Sequence, residues 1–212
     1  MGQACAACQL RAAAQEEVEQ DNDYQMADLI ITTKRVYLRP LSDDDAAALF
    51  SYRSKPEVAK FQLWKPEEIS DAAQFIKKAR FQTALINNQW NQFAVCLRTN
   101  NEMVGDIGIL LNNRKAEIGF TIAPHFQRKG LAFEAVTALI NYLFLKQIEN
   151  LIIAITDPKN VSSIMLLEKI GFCLDSSNVY GNKDISDLCF FLKKEEYYGP
   201  NNTSMRTREH PA

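Results

Sequence analysis

Histidine is nearly absent from this chain: only His125 and His210 occur in 212 residues. That pair supplies no Ser-His-Asp or Cys-His arrangement, so catalysis through an imidazole base finds no support. His125 reads as a surface residue or a contact to whatever the following loop binds. No apolar run is long enough to cross a bilayer. Met1 to Gln9 lack the basic start and apolar core of a secretory signal, and Gly2 lacks the Ser or Thr at position 6 of a myristoylation pattern. Net charge is also missing: 24 Lys and Arg stand against 26 Asp and Glu. That balance gives no general attraction for nucleic acid or a membrane surface, so any anion site must be local. The five cysteines, Cys5, Cys8, Cys96, Cys173 and Cys189, are odd in number, and Cys96, Cys173 and Cys189 sit in apolar strand-like contexts. A disulfide framework is not expected and a reducing compartment, the cytoplasm, is. Cys5 and Cys8 form a lone Cys-x-x-Cys without a second pair, so no metal site is expected.

What remains is an ordinary soluble composition, 47% hydrophobic, sized for one core with tails. Residues 1–27 are polar and acidic around Gln15 to Asp23, with few apolar anchors to offset the entropy of ordering them, and are expected to be a disordered tail. Residues 199–212 lack periodicity and are expected to be a second one. The domain is therefore placed at residues 28–198.

Within it, Val36 to Arg39 alternates as a strand, and Ser42 with Asp45 forms a capping-box start for a helix through Arg53. Ser70 is read as the cap of a second helix, with Ala73, Phe75, Ile76, Ala79 and Leu85 on its apolar face up to Asn87-Asn88. Three strands follow, Gln92 to Arg98, Met103 to Leu111 and Ala116 to Ile122, separated by short polar turns suited to antiparallel hairpins. Then come a helix from Leu131 to Lys146, a strand Leu151 to Thr156, a helix Val161 to Ile170, and strands at Phe172 to Ser177 and Leu188 to Lys193. This order is an α+β layout, a mixed and mostly antiparallel sheet flanked by helices.

Gln127-Arg128-Lys129-Gly130-Leu131-Ala132 lies between a strand and a long helix. A tight turn at a helix N-terminus presents unpaired main-chain N–H groups and the positive end of the helix dipole, which suits phosphate. The bland alternative is a turn that needs one glycine and is solvated by its basic residues. The segment resembles the pyrophosphate loop of GNAT acetyltransferases, Gln/Arg-x-x-Gly-x-Gly/Ala. Asn160 to Phe172 resembles the same family's second block, an Asn-x-x-Ser/Ala helix ending in Gly-Phe, although Asn160 and Gly171 also serve as plain helix caps. Thr33 to Leu41, Ala116 to Pro124 and Gly130 to Ala135 are further similar to the RimJ/RimL type of ribosomal-protein alanine N-acetyltransferases.

The resemblance implies an acetyl-CoA dependent N-acetyltransferase in which the thioester lies where two parallel strands part, here Ala116 to Ile122 and Leu151 to Thr156. It implies that the main chain of Phe120, Thr121 and Ile122 pairs with the pantetheine arm, that Gln127, Arg128, Lys129, Gly130, Leu131 and Ala132 hold the pyrophosphate, and that Asn160 and Ser163 line the arm. A main-chain N–H near Phe120 would stabilise the developing oxyanion. The acceptor is expected to be a primary amine, a protein N-terminus or a small molecule. A terminal α-amine, with a pKa of about 7.7 to 8.0, is partly neutral at pH 7, so a strong base is optional for it.

Glu117 leads the candidate bases, followed by Glu134, with Asp106 and Asp187 behind. Glu117 could equally face solvent, and Glu134 could simply serve its own helix dipole. Where many GNAT enzymes place a Tyr as general acid this chain has Leu167, leaving Ser163, Tyr180, water, or an unassisted thiolate. Cys173 is read as a core residue. Trp64, Trp90 and Tyr180 are candidates for acceptor selection or ordinary core. The missing Tyr also motivates an alternative, a non-catalytic acyl-CoA sensing module. The assembly is left open between a monomer and a homodimer.

Overall fold

The computed structural model describes residues 30–62, 64–80, 85, 87–112, 115–146, 148–177, 179–180 and 186–197. The expected tails, Cys5, Cys8 and His210 lie outside them.

A short strand β1 (Ile31–Thr32) turns into β2 (Val36–Pro40), whose alternate residues Val36 and Leu38 are buried. A 3-10 turn over Asp43–Asp45 leads into α1 (Ala46–Arg53), followed by the single turn α2 (Pro56–Ala59). The start of α1 is set by Asp45, whose carboxylate accepts from Ser42 N at 2.7 Å and from both Nη atoms of Arg39 at 2.7 and 2.8 Å. Next come α3 (Ile69–Arg80), β3 (Trp90–Leu97), β4 (Met103–Asn112) and β5 (Lys115–Ile122). After a 3-10 turn at Pro124–Phe126 the chain forms α4 (Leu131–Leu145), β6 (Leu151–Thr156), α5 (Val161–Ile170), β7 (Cys173–Leu174) and β8 (Leu188–Lys193).

The strands make one sheet in the order β1-β2-β3-β4-β5-β6-β8-β7, antiparallel throughout except for β5 beside β6. Strand alternation splits the core into two layers. One face, including Ile107, Ile109, Ile118 and Ile152, is covered by α4 and α5 through residues such as Leu139, Ile140 and Leu167. The opposite face carries a smaller cluster in which Ala94, Cys96 and Met103 meet Leu49 and Tyr52 of α1 and Ala72 and Ile76 of α3.

Four expectations are corrected. Ser70 is not a cap: α3 starts at Ile69, Asp71 accepts from the main-chain N–H groups of Glu67 and Glu68 at 2.9 and 3.1 Å, and Ser70 Oγ donates to Glu68. A carboxylate is the stronger acceptor at a helix start, favoured there by the dipole. Leu85 does not continue the face of α3, because it is buried in the cluster on the opposite side of the sheet. The strand expected to run to Ser177 stops at Leu174, where Ser176 N bonds back to Leu174 O and Asp175 takes the main-chain N–H of Tyr180 at 2.7 Å. As a consequence Cys173 lies exposed on the sheet edge rather than in the core, whereas Cys96 and Cys189 are buried and burial pushes the Cys189 thiol up to about 11.

Candidate active site at the parting of two strands

β5 pairs with β4 along its whole length, and β6 pairs with β8 along its whole length. Between them, β5 and β6 pair only at Ala116 with Ile152 and at Glu117 with Ile153. Beyond Glu117 the two strands part, each held by its outer neighbour, so Ile118 to Ile122 and Ala154 to Thr156 face a gap along their inner edges. Main-chain polar groups at such a gap are ready to pair with an extended amide-bearing chain as a strand would.

Because β5 and β6 are parallel, the helices that follow them both begin at the open end of the gap. The turn after β5 is closed by Gln127, whose Nε2 donates to Ile122 O at 2.8 Å. Arg128 and Gly130 both adopt left-handed backbone conformations, φ 60° and 77°. Glycine takes this readily, while Arg128 must be held there by its surroundings. Arg128, Lys129 and Gly130 are exposed, Leu131 is buried and Ala132 is half-buried. Among the described residues, the main-chain N–H groups of Arg128 through Ala132 have no partner. This row of donors at the N-terminus of the 15-residue helix α4 has the geometry that suits an anion.

On the other side of the gap α5 is capped by Asn160, whose side chain accepts from Ser163 N at 3.3 Å. The helix closes on Gly171 at φ 112°. Ser163 lies half-buried in the first turn, on the side of the sheet that α4 also covers. Leu167 is fully buried in the same core, so no proton donor stands at that position.

The opposite face of the sheet presents different chemistry. In the row that crosses Trp90, Leu110, Glu117, Ile153 and Phe191, Glu117 is half-buried, and burial pushes its carboxyl upward against the pull of Lys115. Tyr180 packs its ring on Phe191 with centroids 5.1 Å apart, and its carbonyl accepts from Lys115 Nζ at 3.3 Å. Glu117 and Tyr180 thus share a face that Ser163 does not. The next row runs through Gln92, Gly108 and Gly119. A Cβ on Gly108 would lie 2.5 Å from Gln92 Nε2 and 3.0 Å from the Trp90 ring, so these side chains pack down onto buried Gly108, whereas Gly119 is exposed with the Trp90 ring 4.0 Å from where its Cβ would stand. One row further, Asp106 sits beside Thr121. The Thr121 hydroxyl and Gln92 Oε1 are buried without a hydrogen-bond partner, a cost of about 1–3 kcal/mol each unless something meets them.

Other candidates are committed elsewhere. Asp106 accepts from Tyr52 OH at 2.7 Å and from Arg53 through Nε at 3.2 Å and through Nη2, all buried. Trp64 stacks on Phe75 at 4.7 Å, and the Arg53 guanidinium lies 5.8 Å from the Trp64 ring, so Trp64 belongs to this buried assembly. Glu134 accepts from Thr33 Oγ1, Arg35 N and Arg35 Nε, each at 2.6 Å. Burial raises its carboxyl, but these bonds outweigh it and hold the group below the ordinary Glu range. Asp187 and His125 are exposed, His125 edge-on to Phe126. No cluster of His, Cys, Asp and Glu able to hold a metal occurs among the described residues. Sequence reasoning missed Arg35, Gln92, Tyr52 and Arg53. Only Arg35 carried a signal, as part of the quoted Thr33 to Leu41 segment.

Comparison with known proteins agrees with this geometry. The family model described as Acetyltransferase (GNAT) domain matches residues 35–173. The uncharacterised N-acetyltransferase p20 of Bacillus licheniformis is 33% identical over 176 residues, covering 79% of this chain and 97% of that protein. A solved GNAT-family acetyltransferase from Bacillus anthracis superposes with a TM-score of 0.68 at 25% identity, covering 79% of this chain and all of that one. The ribosomal L7/L12 alpha-N-protein acetyltransferase RimL, solved with coenzyme A, shares the fold at a TM-score of 0.65 and 16% identity, covering 78% of this chain and 98% of its own.

Proposed function

The chain belongs to the GNAT acetyltransferase family, and from that premise we propose that it moves the acetyl group of acetyl-CoA to a primary amine, by direct transfer in a ternary complex. The acceptor is a protein N-terminal α-amine or a small-molecule amine. One observation carries the reading: the parting of β5 from β6 opens beside a row of main-chain N–H groups with no partner among the described residues. An extended amide chain ending in a pyrophosphate matches that pair of features. The acetyl thioester supplies the activated carbonyl, and the rest is done by this chain.

Phe120, Thr121 and Ile122 hold the pantetheine arm through their main chain. Gln127 to Ala132 receive the pyrophosphate, Arg128 and Lys129 adding charge to the donors of Gly130, Leu131 and Ala132. Asn160 and Ser163 border the arm at the start of α5. A main-chain N–H near Phe120 donates to the thioester oxygen as negative charge develops there.

The acceptor approaches from the face bearing Glu117. There exposed Gly119 gives room, and Gln92 Oε1 and the Thr121 hydroxyl are oxygens that an amine can donate to. Glu117, with its carboxyl raised by burial, takes the proton lost by the amine. Tyr180, on the same face, or Ser163, across the gap, returns a proton to the departing sulfur. The buried Cys96 and Cys189 thiols fit the reducing environment of the cytoplasm.

Calorimetric titration of acetyl-CoA, followed by thiol release against peptides with free N-termini and small amines, tests the proposal. Micromolar binding with turnover supports it. Binding without thiol release on any amine would favour the non-catalytic acyl-CoA module raised by Leu167, and absence of binding would sink the assignment of the Gln127 to Ala132 loop.

A further inference from the structure

We infer that Arg35 is a positioning residue for the coenzyme, acting from the β1–β2 turn to fix the peptide plane that presents the Gly130 N–H to the pyrophosphate. The inference rests on the reading of the Gln127 to Ala132 loop given above.

The β1–β2 turn is built as a rigid bracket. Thr33 N donates to Val36 O at 2.9 Å, and Val36 N donates to Thr33 Oγ1 at 3.1 Å, leaving the hydroxyl proton for Glu134. From the end of β3, Arg98 Nη1 donates to Thr33 O at 2.9 Å and Arg98 N donates to Arg35 O at 2.9 Å. Glu134, in the first turn of α4, joins this bracket to the loop by accepting from Thr33 Oγ1, Arg35 N and Arg35 Nε. With Nε held, the planar guanidinium has one orientation left, and in it Nη1 donates to Lys129 O at 2.8 Å.

That last bond carries the consequence. In a trans peptide the C=O and the following N–H point in opposite directions. Drawing Lys129 O toward Arg35 therefore turns the Gly130 N–H away from the bracket, to the side left for a ligand. Glycine at this position would otherwise let the peptide flip at little cost. Nη2 makes no bond among the described residues and lies 3.3 Å from where a Cβ on Gly130 would stand. The guanidinium thus adds positive charge beside the donors it orients, and Glu134 spends its carboxylate on this brace.

The test compares three probes on wild-type protein and the Arg35→Ala, Arg35→Lys and Glu134→Gln variants. Acetyl-CoA binding is measured by calorimetry, and ADP and pantetheine are measured as competitors of it, with thermal melting on every sample. Arg35→Ala is expected to weaken acetyl-CoA and ADP by a common factor of about ten to a hundred, the range for losing a charge-assisted hydrogen bond. Pantetheine, which has no pyrophosphate, should change by less than about twofold. Arg35→Lys should fall between wild type and Arg35→Ala, because an ammonium cannot hold Glu134 and Lys129 O in one fork. A structural loss alone would weaken all three probes together. Wild-type affinity of Arg35→Ala for ADP, or equal losses for ADP and pantetheine, would overturn the inference. If Arg35→Ala fails to melt cooperatively, Glu134→Gln, which keeps the shape and removes the charge that anchors Nε, carries the same comparison. A wild-type protein that does not bind acetyl-CoA would instead refute the reading of the loop on which this rests.

Discussion

Replacing Asp106 by Ala should unfold the protein far more readily than its distance from the surface chemistry would imply. The carboxylate is 1% exposed and its partner guanidinium on Arg53 is 9% exposed. Among the described residues Arg53 has one further acceptor, Gln62 Oε1 at 3.1 Å, so Asp106→Ala leaves a buried cation with one neutral hydrogen bond there. It also strands the Tyr52 hydroxyl in the core. Breaking one side of a buried pair costs about 3–5 kcal/mol, against a total of about 5–15 kcal/mol for a domain. With a urea dependence of about 2 kcal/mol per molar, the midpoint should fall by roughly 1.5–2.5 M. Removing both charges, Arg53→Met with Asp106→Leu, should recover most of that loss, since apolar replacement of a buried pair is often neutral. Urea titrations of the wild type, Arg53→Met, Asp106→Leu and the double variant give the coupling directly. A shift under about 0.5 M for Asp106→Ala, or strictly additive losses in the double variant, would refute the reasoning.

Gly130→Asp should abolish acetyl-CoA binding by calorimetry while the melting curve stays cooperative, since it sets bulk and negative charge in the proposed anion site at a left-handed position. Glu117→Gln should lower turnover and remove the acidic limb of the pH–rate profile. Because burial raises this carboxyl, that limb should lie above the ordinary Glu value of about 4.3, and an unaltered profile would remove Glu117 as the base. Burial also acts upward on Asp45, but the Arg39 fork and Ser42 N outweigh it and hold the carboxyl below its ordinary value. Its contribution is therefore complete above the unfolded value of about 3.9 and is lost as pH falls through the lowered folded value. Asp45→Asn should cost about 1.5–3 kcal/mol at neutral pH and flatten the loss of stability below about pH 4, read by urea titration across pH.

The strands and the later helices were legible because their signals are local. Leu151 to Thr156 and Val161 to Ile170 were read to the residue, the first from its apolar run and the second from Asn160 and Gly171 at its ends. What escaped depends on partners distant in sequence. Ser70 looked like a cap, but Asp71 outcompetes it. Cys173 looked like core because Phe172 beside it is core, yet the strand stops after Leu174 at the sheet edge and leaves Cys173 exposed. At the site, the loop from Gln127 to Gly130 was visible as a motif. The brace that shapes it joins Arg35 to residues 94 and 99 positions away, a relation no window of sequence contains. Glu134 shows the same limit: its place in a first helical turn suited a dipole role, and its three donors come from another strand pair altogether.

The two residue pairs joining β5 to β6 are also the seam of the whole sheet. On one side lies a five-stranded plate, β1 to β5, and on the other a three-stranded plate of β6, β8 and β7. Helix α4 leans on the first plate and on α5, and α5 leans on β6, so the helices yoke the plates alongside the direct contact of β5 with β6. A substrate arm lying in the seam would act as a missing strand, and would couple occupancy to the rigidity of the molecule.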